Sequence, residues 1–242
     1  MLMAKAPGPG RVKTRLCPPL DLRGSARLYA CMLADTADEL SGLDRVRRYL
    51  FLDPPGPAVS LRGAPFSAFE RFPQRGRDLG ERMWDATSTA FRHGAQRVVI
   101  VGADCPSLSA ARVRQAFREL SAGASVVFGP SSDGGYYLVG LSLHDARLFR
   151  GFAWSTAEVL RDAAARCRVL SAPFSFLPPG RDVDTGEDLL ALRKWTRAHA
   201  QPACPRTRRW LNAFFGRGGD GLPGRMERTP CPPRGSRSLR GG

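Results

Sequence analysis

Three aspartates and one glycine turn hold the groups in this chain best suited to chemistry. Asp104 lies in RVVIVGADCPSL, residues 97–108, directly after Val98, Val99, Ile100 and Val101 and the small residues Gly102 and Ala103. Four β-branched residues in a row suit a strand covered on both faces of a parallel sheet. A carboxylate therefore stands at the carboxyl end of a buried strand, where open α/β sheets bind ligands. Asp182 and Asp184 sit two apart in RDVDTGEDL. In an extended segment that spacing turns both side chains to one face. Without lysines beside them they repel each other and suit a hard cation. The fourth piece is KAPGPGRVKTRL, residues 5–16. Gly8 and Gly10 let a backbone approach a phosphate, while Lys5, Lys13, Thr14 and Arg15 supply charge and donors. The chain has three lysines against 34 arginines, and both lysines before Lys194 fall in this turn, which sharpens the phosphate reading against the alternative of a solvated basic turn.

Together these groups fit a pyrophosphate-bearing ligand. Mg²⁺ or Mn²⁺ on Asp104, Asp182 and Asp184 would offset its charge from one side, and the glycine turn with Lys13 and Arg15 from the other. No nucleophilic triad competes, because His93, His144 and His199 fall at helix ends or in polar runs. Cys105, beside a buried strand and before proline, reads as a core thiol. The six cysteines form no C-x-x-C pair and no zinc spacing. With no leader-like segment and no apolar run near 18 residues, the expected setting is a reducing cytoplasm with no membrane segment.

The elements that must position these groups alternate between strand and helix. Residues 1–4 read as the stub of a first strand, shorter than usual. Residues 21–40 carry one apolar helical stripe, with Asp21 as cap and Gly42 as stop. Strands are expected at 45–52, weakly at 64–69, and at 98–101, 124–128, 136–141 and 168–177. A DPPGP turn follows at 53–57. Helices are expected from Leu79 toward His93, at 110–120 behind Ser107 or Ser109, after Ser155, and after Thr185. Ser155 with Glu158, and Thr185 with Asp188, both show capping-box spacing. The turn holding Asp133, Gly134 and Gly135 follows a strand ending on the same rim as Asp104, so it should line the crevice.

Charge divides the chain. Residues 1–192 hold 25 basic and 20 acidic side chains, net +5, whereas residues 193–242 hold 12 and 2, net +10. Residues 1–200 thus read as one domain, and residues 201–242 as a basic, Pro/Gly/Arg-rich disordered tail. Nucleic-acid binding through that tail is the alternative of another class, not favoured because the tail has few aromatic residues for base stacking.

KAPGPGRVKTRL, QRGRDLGERM, VGADCPSL, GPSSDGGYYLVGL, FAWSTAEVL and DVDTGEDL, in this order, resemble a bacterial family with the glycosyltransferase-A fold. The family belongs to the nucleotide-diphospho-sugar transferase superfamily and is related to small nucleotidyltransferases. The likeness covers residues 1–195. It implies a three-layer α/β nucleotide sandwich, Rossmann-like, with a mostly parallel central sheet. It also implies a nucleotide-sugar or NTP substrate held through Mg²⁺ or Mn²⁺. By resemblance, Asp104 and Asp184 are metal ligands, Lys13 and Arg15 are phosphate-loop cations, and Gln74, Asp78 and Gly80 fall where relatives recognise the base. Asp133, Gly134, Gly135 and Tyr136 match the acceptor-side turn, near Ser155 and Thr156. Gly186 stands where relatives carry proline, which should loosen the last helix. The leading expectation is a metal-dependent glycosyltransferase acting on a small-molecule acceptor, with Asp133 as catalytic base. The second is a nucleotidyltransferase that joins an NTP to a small phosphorylated acid or sugar and releases pyrophosphate.

Overall fold

The computed structural model describes residues 1–55, 61, 63–199 and 204–216. Its strands are β1 (Leu2–Lys5), β2 (Tyr49–Asp53), β3 (Glu70–Pro73), β4 (Val98–Val101), β5 (Val126–Pro130), β6 (Tyr136–Leu141) and β7 (Phe174–Phe176). They form one sheet in the order β3-β2-β1-β4-β6-β5-β7. Only β6 runs antiparallel to its neighbours, β4 and β5. Between and after the strands lie α1 (Leu22–Ser41), α2 (Leu79–Arg92), α3 (Ala110–Ser121), α4 (Val159–Val169), α5 (Gly186–Ala198) and α6 (Pro205–Phe215).

Alternation along the strands splits the core in two. Leu2, Leu50, Leu52, Val99 and Val101 face α1 and α3, whereas Tyr49, Phe51, Val98 and Ile100 face α2 and α4. All four residues of β4 are buried, as expected of a strand covered on both sides. The stub at the amino terminus is a full partner, since Leu2 to Lys5 pair in parallel register with Leu50 to Asp53.

Helix starts follow local chemistry where the cap is a single side chain. Asp21 accepts from Gly24 N at 2.5 Å, Asp78 from Glu81 N at 2.8 Å and Ser109 from Arg112 N at 3.4 Å. Thr185 and Asp188 make both halves of a capping box, so α5 starts firmly despite Gly186.

Four expectations need correction. Ser155 caps nothing. It has φ +68° and α4 begins only at Val159, because the 153–158 turn is held by Gly134, whose carbonyl receives Leu160 N–H at 3.0 Å. Residues 66–68 form a 3₁₀ turn, and the edge strand is β3 just after it. Residues 168–169 close α4 and leave β7 only three residues. The boundary at 200 also fails: residues 205–215 are α6, not tail.

α6 docks through a buried carboxylate. Asp35 of α1 accepts Arg206 N–H at 3.0 Å and Thr207 N–H at 2.8 Å, satisfying donors that a helix N-terminus leaves open. Leu211 and Phe215 then pack with Leu28 and Met32 of α1 and Leu189 and Leu192 of α5. Arg193 lies over the Phe215 ring at 4.2 Å. α1 therefore buries two faces rather than the single stripe read from its sequence. Residues 56 and 57 of the DPPGP turn, residues 201–203, Cys231 and the tail beyond residue 216 lie outside the described residues. No helix among the described residues is long and apolar enough to cross a membrane.

Candidate active site

The carboxyl ends of β1 and β4 open into a cleft of about 740 Å³, lined among others by Lys5, Lys13, Arg15, Asp104, Asp133, Asp182 and Asp184. That volume lies within the range of small-molecule sites. Asp104 enters it where β4 ends. Residues 180–184 run beside it, with Gly180 N bonded to Pro130 O at 2.8 Å and Val183 N to Asp104 O at 3.0 Å. Buried Val183 anchors the segment and leaves Asp182 and Asp184 on the cleft side.

Lys13 joins the pieces. Its Nζ lies 2.7 Å from Oδ1 of Asp104 and 2.7 Å from Oδ1 of Asp184. Burial alone would lower its pKa, but the charges of Asp104 and Asp184 and hydrogen bonds to both outweigh that penalty and raise it. Lys13 thus sits on the aspartates, not across a metal from them as the sequence reading has it. The fixed cation is attracted to the carboxylates it was expected to oppose.

Asp182 is the uncompensated member. Its Oδ1 is buried without a hydrogen-bond partner. Its pKa is pushed up to about 7 by burial first, then by Asp104 and Asp133, with Lys13 opposing. Among the described residues, no three His, Cys, Asp or Glu side chains converge closely enough to hold a metal ion by themselves. The expected three-aspartate cage is corrected to a lysine-bridged pair with a third carboxylate nearby. Such a set still suits Mg²⁺, which takes one or two carboxylates and completes its shell with water and substrate phosphates.

The remaining expected residues divide. Lys5, Thr14 and Arg15 line the cleft, and Lys5 N–H donates to Tyr29 Oη at 2.9 Å. Gly10 has φ +74°, a conformation that favours glycine; neither it nor Gly8 is among the lining residues. Gln74 gives its amide to Ala4 O at 2.9 Å and Phe51 O at 3.0 Å, tying β1 to β2. Asp78 lines the cleft while capping α2. Gly80 is buried packing rather than a ligand contact, since a Cβ there would lie 2.1 Å from Phe149 O and 2.7 Å from Trp154 Nε1. Gly134 is likewise structural, with φ +86° and a Cβ position 2.2 Å from Ala157 O.

Asp133 Oδ1 accepts from Ser131 Oγ–H and, at 3.0 Å, from Gly135 N–H. Tyr136 donates its hydroxyl to Met83 Sδ at 3.9 Å, and burial raises its pKa. Ser155 and Thr156 line the cleft, the latter donating to Ala153 O at 2.8 Å. Burial pushes the Cys105 thiol up to about 11, with smaller opposing hydrogen bonds from Ser107, which keeps it protonated.

Sequence reasoning missed Tyr29, Arg82 and Trp154, all cleft residues. Tyr29 lies in the α1 stripe and reads as core. Arg82, paired with Asp53 at 2.6 Å, is one arginine among 34.

Residues 36–156 match the profile of the family described as "Uncharacterized protein conserved in bacteria (DUF2064)". Comparison with curated proteins gave no match. Among solved structures, a protein from Desulfovibrio desulfuricans G20, named provisionally as a nucleotide-diphospho-sugar transferase, is 29% identical with a TM-score of 0.76. The match covers 88% of this chain and 93% of that one. A cytidylyltransferase from Leptospira borgpetersenii is 12% identical over 88% of this chain and 91% of its own, with a TM-score of 0.55. The 4-diphosphocytidyl-2C-methyl-D-erythritol synthase of Anaerococcus prevotii is 10% identical over 81% and 95%, with a TM-score of 0.53. The last two likenesses show the shared fold.

Proposed function

Since the chain belongs to the DUF2064 family of proteins conserved in bacteria, we propose that it is a metal-dependent glycosyltransferase with a nucleotide-diphosphate sugar as donor. One observation carries this reading: Asp104, Asp182 and Asp184 share a cleft with a single buried ammonium, and Asp182 Oδ1 has no partner. Asp104 and Asp184 meet one buried lysine, and Asp182 with its buried Oδ1 stands beside them, so this corner of the cleft offers oxygen ligands that a divalent cation would draw together. Mg²⁺ or Mn²⁺ held by Asp104 and Asp184, with Asp182 behind, would supply Lewis-acid stabilisation of the leaving diphosphate.

The chain's own groups do the rest. Lys5, Lys13 and Arg15 bind phosphate oxygens, with Thr14 beside them in the cleft. Asp78 and the amide oxygen of Gln74 face the nucleoside. Gly135, Tyr136, Ser155 and Thr156 shape the acceptor side, and Asp133 takes the acceptor proton on Oδ2, since Oδ1 is held by Ser131 and Gly135. The acceptor is a small molecule, and the reaction is a cytoplasmic one. Likeness to the D. desulfuricans protein supports this reading.

The test is incubation of the full chain with UDP-, GDP-, ADP-, CDP- and dTDP-sugars and Mn²⁺. Release of nucleoside diphosphate is expected from at least one donor and should be lost in Asp104→Asn. The DVDT placement of Asp184 against Lys13 favours a second reading, nucleotidyl transfer. Pyrophosphate release from an NTP, with every nucleotide sugar inert, would replace the first reading by this one.

A further inference from the structure

The place between Asp104 and Asp184 is filled by the chain's own cation. Lys13 is only 4% exposed, whereas the Asp104 and Asp184 side chains keep 49% and 41% of their surface open. The lysine reaches them from a left-handed backbone, φ 50° and ψ 37°. That conformation is unfavourable for a non-glycine residue and persists only where the surroundings fix it. Here the following turn, Thr14–Leu16, fixes it: Leu16 is fully buried among Leu20, Leu28 and Leu189. The fold therefore delivers this ammonium to the carboxylate pair at a conformational cost.

A free divalent ion approaching the pair must displace an ammonium already 2.7 Å from both. A phosphate arriving beside Lys5 and Arg15 in the cleft offers that ammonium a new anion and leaves the carboxylates to the metal. Resting on the metal and phosphate reading above, we propose that Lys13 is a resident counter-cation. It holds Asp104 and Asp184 against a free divalent ion and yields them when a substrate phosphate draws it away. Metal and phosphate then bind with positive coupling, and each must tighten the other equally.

The experiment measures Mn²⁺ binding to the full chain by the electron paramagnetic resonance of free Mn²⁺, for wild type, Lys13→Met, Lys13→Arg and Asp104→Asn. Without phosphate, Lys13→Met should bind Mn²⁺ at least about tenfold tighter than wild type, and Lys13→Arg within about threefold of it. Saturating inorganic phosphate should tighten Mn²⁺ binding about threefold or more in wild type and leave Lys13→Met unchanged. Equal or weaker binding by Lys13→Met, with Asp104→Asn still lowering affinity, overturns the lysine's role and leaves the metal site standing. Equal tightening by phosphate in both forms overturns the coupling. Mn²⁺ bound by no form overturns the inference together with the metal reading. Where Lys13→Met folds poorly, a larger Mn²⁺-induced rise in its melting temperature than in wild type reads the same effect.

Discussion

At the Lys13 corner of the cleft, polar partners come from opposite ends of the chain: Lys13 and Asp184 are 171 residues apart, and their bond spans 2.7 Å. At the facing rim, Asp133 is held by Ser131 and Gly135, two residues away on either side. Thr156 likewise bonds Ala153 and Glu158. Groups satisfied by near neighbours hold a turn in shape whether or not a ligand comes. Groups brought together across the chain, with one oxygen of Asp182 left unpaired, hold charge that no local need explains. The comparison teaches where unresolved charge is held: at the corner, while the rim is a turn whose polar groups satisfy one another locally.

The largest expected effect tests the corner directly. Asp104→Asn should cost about 10³-fold in turnover, on the order of 4 kcal/mol, with the melting temperature changed little. A loss below tenfold in steady-state rate would break the comparison. Next comes the support beneath it. Leu211→Ala removes a fully buried side chain shared by α1, α5 and α6 and should destabilise the protein by about 2–5 kcal/mol in urea unfolding.

At the rim, Asp133→Asn keeps an acceptor for Ser131 and Gly135 but no base. A fall of about 10²-fold in kcat at unchanged thermal stability is expected. Unchanged kcat would reduce Asp133 to a turn residue.

A pH profile of the metal-free protein separates the regions further. The Asp182 pKa is raised from 3.8 to about 7 in the fold, so the folded state holds a proton that the unfolded state gives up earlier. Its contribution is full below about pH 4 and is lost as pH rises through about 7. Asp182→Asn should flatten that slope in chemical denaturation, whereas Asp133→Asn, which leaves the burial of Asp182 in place, should retain most of it. The smallest effect is Thr185→Ala, which deletes the α5 cap and should cost about 1 kcal/mol by thermal melting.

Much of this architecture was legible because its signals are local. The run Val98 to Val101 marks β4, and Asp21, Ser109 and Thr185 mark helix starts by one side chain reaching a backbone N–H three residues on. Asp104, Asp184 and Lys13 were legible as charged groups in suggestive places. Their mutual arrangement was not, because a pair bridged across 171 residues leaves no periodic trace. Ser155 shows the opposite failure: the right spacing for a cap was overridden by the backbone of Gly134 packed against Ala157. α6 was hidden by arginine and proline around its start. Its trace lies in α1, where Leu28, Met32 and Asp35 form a second buried face that the sheet alone does not cover.

That second face decides where this polypeptide can be shortened. A stop placed at the expected domain boundary near residue 200 would bare Leu28, Met32 and Leu192 and strand the Asp35 carboxylate without its two amide donors. A recombinant fragment meant for crystallisation or fusion should keep residues 204–216, whose Leu211 and Phe215 close the hydrophobic seam.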